Sequence, residues 1–496
     1  MKKWVRFPWH IFLLPLFYVL HAYNDYFGIL SFSTVGRYTV YYIVLAQIVC
    51  LLGYFLYKKN RVKAGIWTIC FLIIFFFFGA FYDWLKDDLA LPGFFVSYSF
   101  LLSFLLVLFV FISWRLGKAK DPIRLHRFFL ILTALIFLHQ AGTAIFNSYW
   151  YRLRVKHPAG DPVDVKLQAS DKAAMPDIFF MVFDEYTSSV ALKKYFNFDN
   201  SALDSALAKN GFYTSYHSQS NYNSTPFSIA SALNMQYFQQ PWEDRTNDAR
   251  ALLYAAAALK KSTLPHILKE QGYDIINHGF CDFKGEPIHV KPVFEEDEIK
   301  AISLGTLWGR IKRDIYWNII VRMPGYSDVK PADKDHIADN MSNYSGFLEE
   351  LNKDGDKPRF VMGHLLLPRR PAYVDRYGKP RMTSMADFED KDHDSLYLEQ
   401  LIYANTLIDS LAAAANRPRP RPLVLIIEGD HGNRYSTLGL QFRDKQFMNL
   451  NTYYFSDKAY SSLYDSISPV NSFRVVMNKY FNTGLPLLKD STIRLH

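Results

Sequence analysis

Three stretches of this chain carry side chains suited to holding a divalent cation and attacking an ester. The first is an acid, Asp184, closing the short apolar run Pro176-Asp177-Ile178-Phe179-Phe180-Met181-Val182-Phe183. The second is Asn223-Ser224-Thr225-Pro226, with Thr225 41 residues beyond Asp184, followed by small residues up to Leu233. Thr225 suits a helix N-cap and Pro226 the first helical position. A hydroxyl at a helix N-terminus that touches a divalent cation can ionise and attack, while the helix dipole and free N–H groups hold an anionic ester beside it. The third is Gly429-Asp430-His431-Gly432. An adjacent carboxylate and imidazole can face one cation and suit zinc or manganese better than calcium. Gly432 lets the backbone pass close by. Taken singly, each stretch has an ordinary structural use as a cap or a turn; only together, in this order, do they make a pattern.

The elements that must position them alternate. Residues 176–183 and 422–427 are continuous apolar runs, as expected of strands buried on both faces of a parallel sheet. Shorter strands are predicted at 273–277 and from 360 onward, and helices at 201–209, 262–271 and 396–415, the last with Leu401, Ala404, Leu407, Ile408 and Leu411 along one face. The pattern predicts an α/β domain with a mainly parallel central sheet. In such sheets ligands bind beyond the carboxyl ends of the strands, where Asp184 and the Asp430/His431 pair both fall.

The first 150 residues are of another kind. Five apolar segments, near 8–24, 38–57, 65–85, 91–114 and 127–148, approach the roughly 20 residues a spanning helix needs. This predicts a transmembrane domain of five helices at 1–150, a linker at 151–175 and a catalytic domain at 176–496. Residues 1–150 hold 14 Lys/Arg against 5 Asp/Glu, whereas the remainder holds 42 of each. The whole formal charge of +9 therefore lies in the membrane part, which argues against a nucleic-acid partner for the soluble part. Twelve of the basic residues crowd the N-terminus and the loops after the second and fourth segments, so the N-terminus is expected in the cytoplasm of a multi-pass cell-membrane protein, with the catalytic domain outside. His139 and Gln140, inside the fifth segment, are expected to make a helix–helix hydrogen bond. With Cys281 alone in the soluble part, no disulfide can form within it.

The three stretches, in their order, resemble the alkaline phosphatase superfamily and within it the sulfatase-like branch. Residues 176–184 look like that branch's first strand with its metal-binding acid. Thr225 stands where the family places its nucleophile, and Gly429-Asp430-His431-Gly432 resembles its Ser-Asp-His-Gly motif. Ser468-Pro-Val-Asn-Ser-Phe-Arg474 is similar to a run of sulfatase-like membrane proteins. Spans followed by such a domain also resemble lipoteichoic acid synthases and phosphoethanolamine transferases. The resemblance implies one divalent metal ion, zinc or manganese, on Asp184, Thr225, Asp430 and His431, and double displacement through a phospho-threonine. It further implies a membrane lipid or lipid-linked glycan as substrate, and Arg369, His278 and Arg434 as substrate-binding residues; it leaves the oligomeric state open.

The chain also departs from the pattern. Where relatives carry Pro-His-x-Pro, it has Pro368-Arg369-Arg370-Pro371. A guanidinium can clamp an oxyanion but does not release a proton at working pH. His364 is the expected substitute catalytic group, with His278 as the other candidate. Formylglycine sulfatases carry Cys or Ser followed by x-Pro-x-Arg; here Ser228 stands at the arginine position after Ser224-Thr225-Pro226. A Thr225 nucleophile points to phosphorus esters, with hydrolysis of sulfated glycans, or a non-catalytic envelope protein that retains the fold, as the alternatives.

Overall fold

The computed structural model of the protein describes residues 7–27, 30–89, 91–154, 175–238, 249–290, 295–315, 330–331, 334–383, 393–434 and 440–495. The chain forms two compact units, Met1–Val155 with Glu295–Tyr326, and Lys156–Phe294 with Ser327–His496. The uninterrupted domain expected from residue 176 onward is thus divided, because the stretch after residue 294 packs with the N-terminal helices.

In the first unit, five helices run α1 (His10–Asp25), α2 (Phe32–Leu56), α3 (Arg61–Asp83), α4 (Tyr98–Lys118) and α5 (Ile123–Arg154). Ser31, Asn60 and Ser97 cap α2, α3 and α4, each side chain accepting from a backbone N–H three residues on. Among the described residues, four helices are long and apolar enough to cross a membrane: Phe32–Leu56, Arg61–Lys86, Tyr98–Lys118 and Ile123–Tyr149. The expectation of five spans is corrected at α1, which has 16 residues, or roughly 24 Å at 1.5 Å per residue, short of a ~30 Å hydrocarbon core. Even so, α1 runs along the bundle. The His10 ring packs on His126 at the start of α5, and Tyr18 packs on Phe76 within α3. Gln140 makes the expected interhelical bond, accepting from the Asn24 amide of α1 at 2.6 Å. The linker expected at 151–175 falls largely on residues outside those described; α5 itself extends to Arg154.

The later segment of this unit, helix Glu295–Ser303 and the turns Leu307–Arg310 and Ile311–Ile315, docks on one end of the bundle. Ser31 donates to Glu298 at 2.7 Å, the Gly79 N–H donates to the Gly305 carbonyl at 2.9 Å, Arg310 pairs with Asp83, and Tyr98 donates to Asp314. A Cβ at Gly79 would lie 2.8 Å from the Gly305 oxygen, so glycine is what permits this approach. All four anchors lie at the end where α2 and α4 begin and α3 finishes, opposite the basic loops.

The second unit holds strands β1 (Asp177–Phe183), β2 (Tyr213–Thr214), β3 (Asp274–His278), β4 (Lys330–Pro331), β5 (Arg359–Leu365), β6 (Met382–Thr383), β7 (Leu423–Gly429) and β8 (Asn451–Phe455). Six form one sheet in the order β2-β8-β7-β1-β5-β3, while β4 and β6 pair separately. β3, β5, β1 and β7 are parallel; β8 and β2 close one side antiparallel. The sheet is therefore mixed around a parallel centre, the α/β class expected. Along β1 the side chains alternate: Ile178, Phe180 and Val182 enter one core layer, and Phe179, Met181 and Phe183 the other. Every residue of β1, β5 and β7 is buried, which is why β1 and β7 read as continuous apolar runs, whereas β5 also carries the polar Arg359 and His364.

Candidate active site

Parallel pairing assembles the site. Phe183 is the register partner of Gly429, so the next residue on each chain, Asp184 and Asp430, emerges side by side from strands roughly 4.8 Å apart. Ligand atoms of Asp184, Asp430 and His431 all lie within 4.8 Å of one another, and all three residues are buried. A Cβ at Gly432 would lie 2.1 Å from the Lys445 carbonyl. Glycine there admits the segment that closes over the site, as its sequence position implied.

Hydrogen bonds orient these groups. Asp430 Oδ1 accepts from the N–H of Glu185 at 2.9 Å and of His431 at 2.8 Å. The other oxygen, Oδ2, lies 3.3 Å from His431 Nε2. His431 Nδ1 is 2.9 Å from the Gly432 carbonyl. A carbonyl only accepts, so Nδ1 carries the hydrogen and Nε2 presents its lone pair. Asp184 Oδ2 accepts from Arg369 at 2.9 Å. Asp184 Oδ1 and Asp430 Oδ2 are buried without a donor among the described residues. Two donor-less carboxylate oxygens and one imidazole lone pair are a donor set that fits zinc or manganese.

Thr225 begins the helix Thr225–Asn234, with Ser224 in the extended N-cap position. This corrects the expectation that Thr225 itself is the cap. A capping hydroxyl would be spent on backbone N–H groups; from the first helical position, Thr225 Oγ1 instead lies 3.4 Å from His431 Nε2. The terminal run that looked like a motif holds this helix in place. Arg474 donates to the Met235 carbonyl at the helix C-cap at 2.7 Å, and the Val470 N–H donates to Asn221 at 2.8 Å.

Charge around the site follows from burial. Burial opposes ionisation of Asp184, but Arg369, with His431, His364 and Arg434, outweighs it and holds that carboxyl below the usual range. Burial and then the Asp184 charge push Asp430 up, as for two carboxylates sharing one site. Burial, aided by Arg434, lowers His431 to about 4. His364, next to last in β5, is buried with both ring nitrogens lacking partners among the described residues. Burial drives it down to about 4, only partly offset by Asp184. It is thus a neutral imidazole within electrostatic reach of Asp184, Arg369 and His431.

Arg434 lies 2.9 Å from Glu185, and both Arg434 and Arg369 keep partial exposure. His278 goes elsewhere. It ends β3, and its ring faces Gly346, where an added Cβ would lie 2.4 Å away, and His289. Three further groups escaped the sequence reading: Glu185, Arg370 and Lys445. Glu185 carried a visible signal, adjacency to Asp184; Lys445 carried none.

A family model described as Sulfatase matches residues 178–468, more than half of the chain. The chain belongs to the sulfatase family. Its superfamily is that of alkaline phosphatase. No curated protein matches this sulfatase-family sequence. Among solved structures it is similar to the integral membrane lipooligosaccharide phosphoethanolamine transferase A of Neisseria meningitidis, at 12% identity over 94% of this chain and 95% of that one, TM-score 0.40. It is also similar to the C-terminal periplasmic domain of EptC from Escherichia coli, at 12% identity over 66% and 90%, TM-score 0.39. A third similarity is to a putative sulfatase from Bacteroides thetaiotaomicron, at 11% identity over 65% and 74%, TM-score 0.40. At these identities and scores the likenesses say nothing of substrate.

Proposed function

We propose that this sulfatase-family chain is a membrane-anchored, metal-dependent phosphoryl-group transferase or hydrolase, with Thr225 as its nucleophile. The observation that carries the reading is the Thr225 hydroxyl, which meets the lone-pair side of His431 beside two donor-less carboxylate oxygens. Asp184, Asp430 and His431, with Thr225, would hold one divalent cation. Such an ion lowers the pKa of a hydroxyl it touches and offsets charge on the transferred group.

This chain's own residues do the rest. Thr225 Oγ1 bonds to phosphorus as the ester bond to the leaving oxygen breaks, and the threonine proton passes through water to that oxygen, which departs as the alcohol. Arg369 and Arg434 clamp the non-bridging oxygens, and positioning with charge stabilisation supplies most of the catalysis. Neutral His364 suits the second half-reaction, accepting the proton of a water or acceptor hydroxyl as that oxygen displaces Thr225. Arg369 has no proton to exchange, so it serves as a clamp.

A lipid or lipid-linked glycan at a cell-membrane surface is the proposed substrate, since the site shares a chain with apolar spanning helices. The catalytic unit is proposed to face outward. Support comes from the charge of the loops and from the Glu295–Ile315 segment, which docks on the bundle end opposite those loops. Cysteines placed at Lys120 and Asp199 test this: an impermeant maleimide should label only the second in intact cells.

The mechanism is tested by intact-protein mass spectrometry after incubation with membrane lipid extract. A mass added at Thr225, absent from Thr225→Ala, is expected and identifies the transferred group. Turnover by Thr225→Ala at the parent rate overturns the reading.

A further inference from the structure

Lys445 lies in the turn of helix Leu440–Phe447, and it is 2% exposed. Lysine ordinarily buries its stem and keeps its ammonium in water. Here the ammonium packs over the Phe196 ring at 4.6 Å, and Phe196 stacks on Tyr397. Among the described residues no carboxylate approaches Lys445 within ion-pair distance. Asp394 and Glu185 attract it from farther off, and Arg370 repels it. A ring face offsets only a small part of the cost of desolvating an ammonium. Buried charges in proteins are paired or serve a ligand.

The position of this cation is informative. The Lys445 carbonyl abuts Gly432, and the next residue, Gln446, accepts from the Gly432 N–H at 2.8 Å. Tyr397, behind Phe196, donates to the Glu185 carbonyl at 2.9 Å. The backbone of Lys445 thus closes over Gly432 next to His431, and its ammonium, over Phe196, is linked through Tyr397 to the Glu185 backbone and feels the charges of Glu185 and Arg370, outside the set of ligand atoms of the Asp184–Asp430–His431 cluster.

We propose that Lys445 is the anchor of a second anion subsite, bordered by Arg370, so that the substrate carries a phosphate-type oxyanion besides the group transferred at Thr225. The ester is thereby at least doubly anionic, and one charge remains with the portion that stays bound beside the reacting centre. This rests on the reading of the metal-binding cluster as that centre. Burial lowers the ammonium to about 8, as befits a cation whose counter-ion is brought by a ligand.

The test is isothermal titration calorimetry of the metal-loaded full chain in detergent with inorganic phosphate. Two phosphates are expected per chain, one of them lost or at least tenfold weaker in Lys445→Met, and the other lost in Asp430→Asn. Lys445→Met keeps the stem against Phe196 and removes only charge; Lys445→Arg keeps charge and should retain both phosphates. Unchanged metal content and thermal midpoint in Lys445→Met exclude a folding defect. If Lys445→Met binds like the parent, or the parent binds no phosphate, the subsite is overturned. A single phosphate lost only in Lys445→Met supports the subsite and removes the cluster reading; one lost only in Asp430→Asn does the reverse. Titration with dispersed phosphatidylglycerol then distinguishes sources: competition for the Lys445-dependent phosphate assigns it to a lipid headgroup, and its lack assigns it to a soluble or glycan-borne anion.

Discussion

The two ends of the central sheet are built from the same residue types to opposite purposes. At the amino ends of β1 and β5, Asp177 has a donor for each oxygen: the Arg359 N–H at 3.1 Å and its guanidinium at 2.9 Å. Glu350 takes the same guanidinium at 2.9 Å. At the carboxyl ends, Asp184 Oδ1, Glu185 Oε2, Asp430 Oδ2, both oxygens of Glu428 and both ring nitrogens of His364 have no partner among the described residues. Leaving a buried polar group unpaired is costly. A fold that pairs the carboxylate oxygens of Asp177 and Glu350 at one end and leaves carboxylate and imidazole atoms unpaired at the other holds the second end for a ligand. Buried charge alone therefore does not mark the site; a cluster of unpaired carboxylate and imidazole atoms does.

This contrast can be broken from either side. The largest effect is expected at the carboxyl end, where Asp430→Asn should empty the metal site and cut turnover by about 10^4-fold or more, read by elemental analysis and initial rates. At the amino end, Asp177→Ala should cost on the order of 3–5 kcal/mol in denaturant unfolding while the folded fraction keeps its metal. Metal loss in that variant would erase the distinction between the two ends.

Acid should sharpen it. His364 and His431 are held neutral at about 4 when folded, against about 6.5 when unfolded. Below 6.5 the unfolded chain binds more protons, so stability of the metal-free protein should fall from pH 6.5 down through about 4. The loss is on the order of 3 kcal/mol for each imidazole. Asn substitution at either position should remove its share from the unfolding profile, and a profile flat over that range would contradict the assignment. The smallest effect is expected from Ser224→Ala, which should leave turnover within about twofold, whereas a formylglycine sulfatase using that position would be inactive.

Much of the framework was legible in the chain. β1 and β7 are buried on both faces, so their sequences are continuous apolar runs, and the acids that end them stand out. The helix at 201–209 matches the observed Ser201–Lys209, because its caps and apolar spacing are local. The weaker readings depended on partners distant in sequence. His278 resembled a site residue by lying after a strand, but β3 is the edge strand of the sheet, and its end faces Gly346 rather than the cluster. The first span was legible as apolar yet not as short, since its ends are set by where α1 meets other helices.

Sequence alone determined the split into an apolar, basic bundle and a charge-balanced α/β unit, the side-chain types at Asp184, Thr225, Asp430 and His431, and the absence of a histidine at Arg369. These follow from composition and short-range periodicity, which the solvent, aqueous or lipid, imposes directly. Tertiary structure alone decided that Phe183 pairs with Gly429, that the Thr225 hydroxyl escapes capping, that Glu295–Ile315 joins the helical bundle, and that Lys445 is buried with no counter-ion among the described residues. Each of these is a relation between segments far apart in the chain. Strand register, close glycine approach and desolvation exist only once those segments have packed.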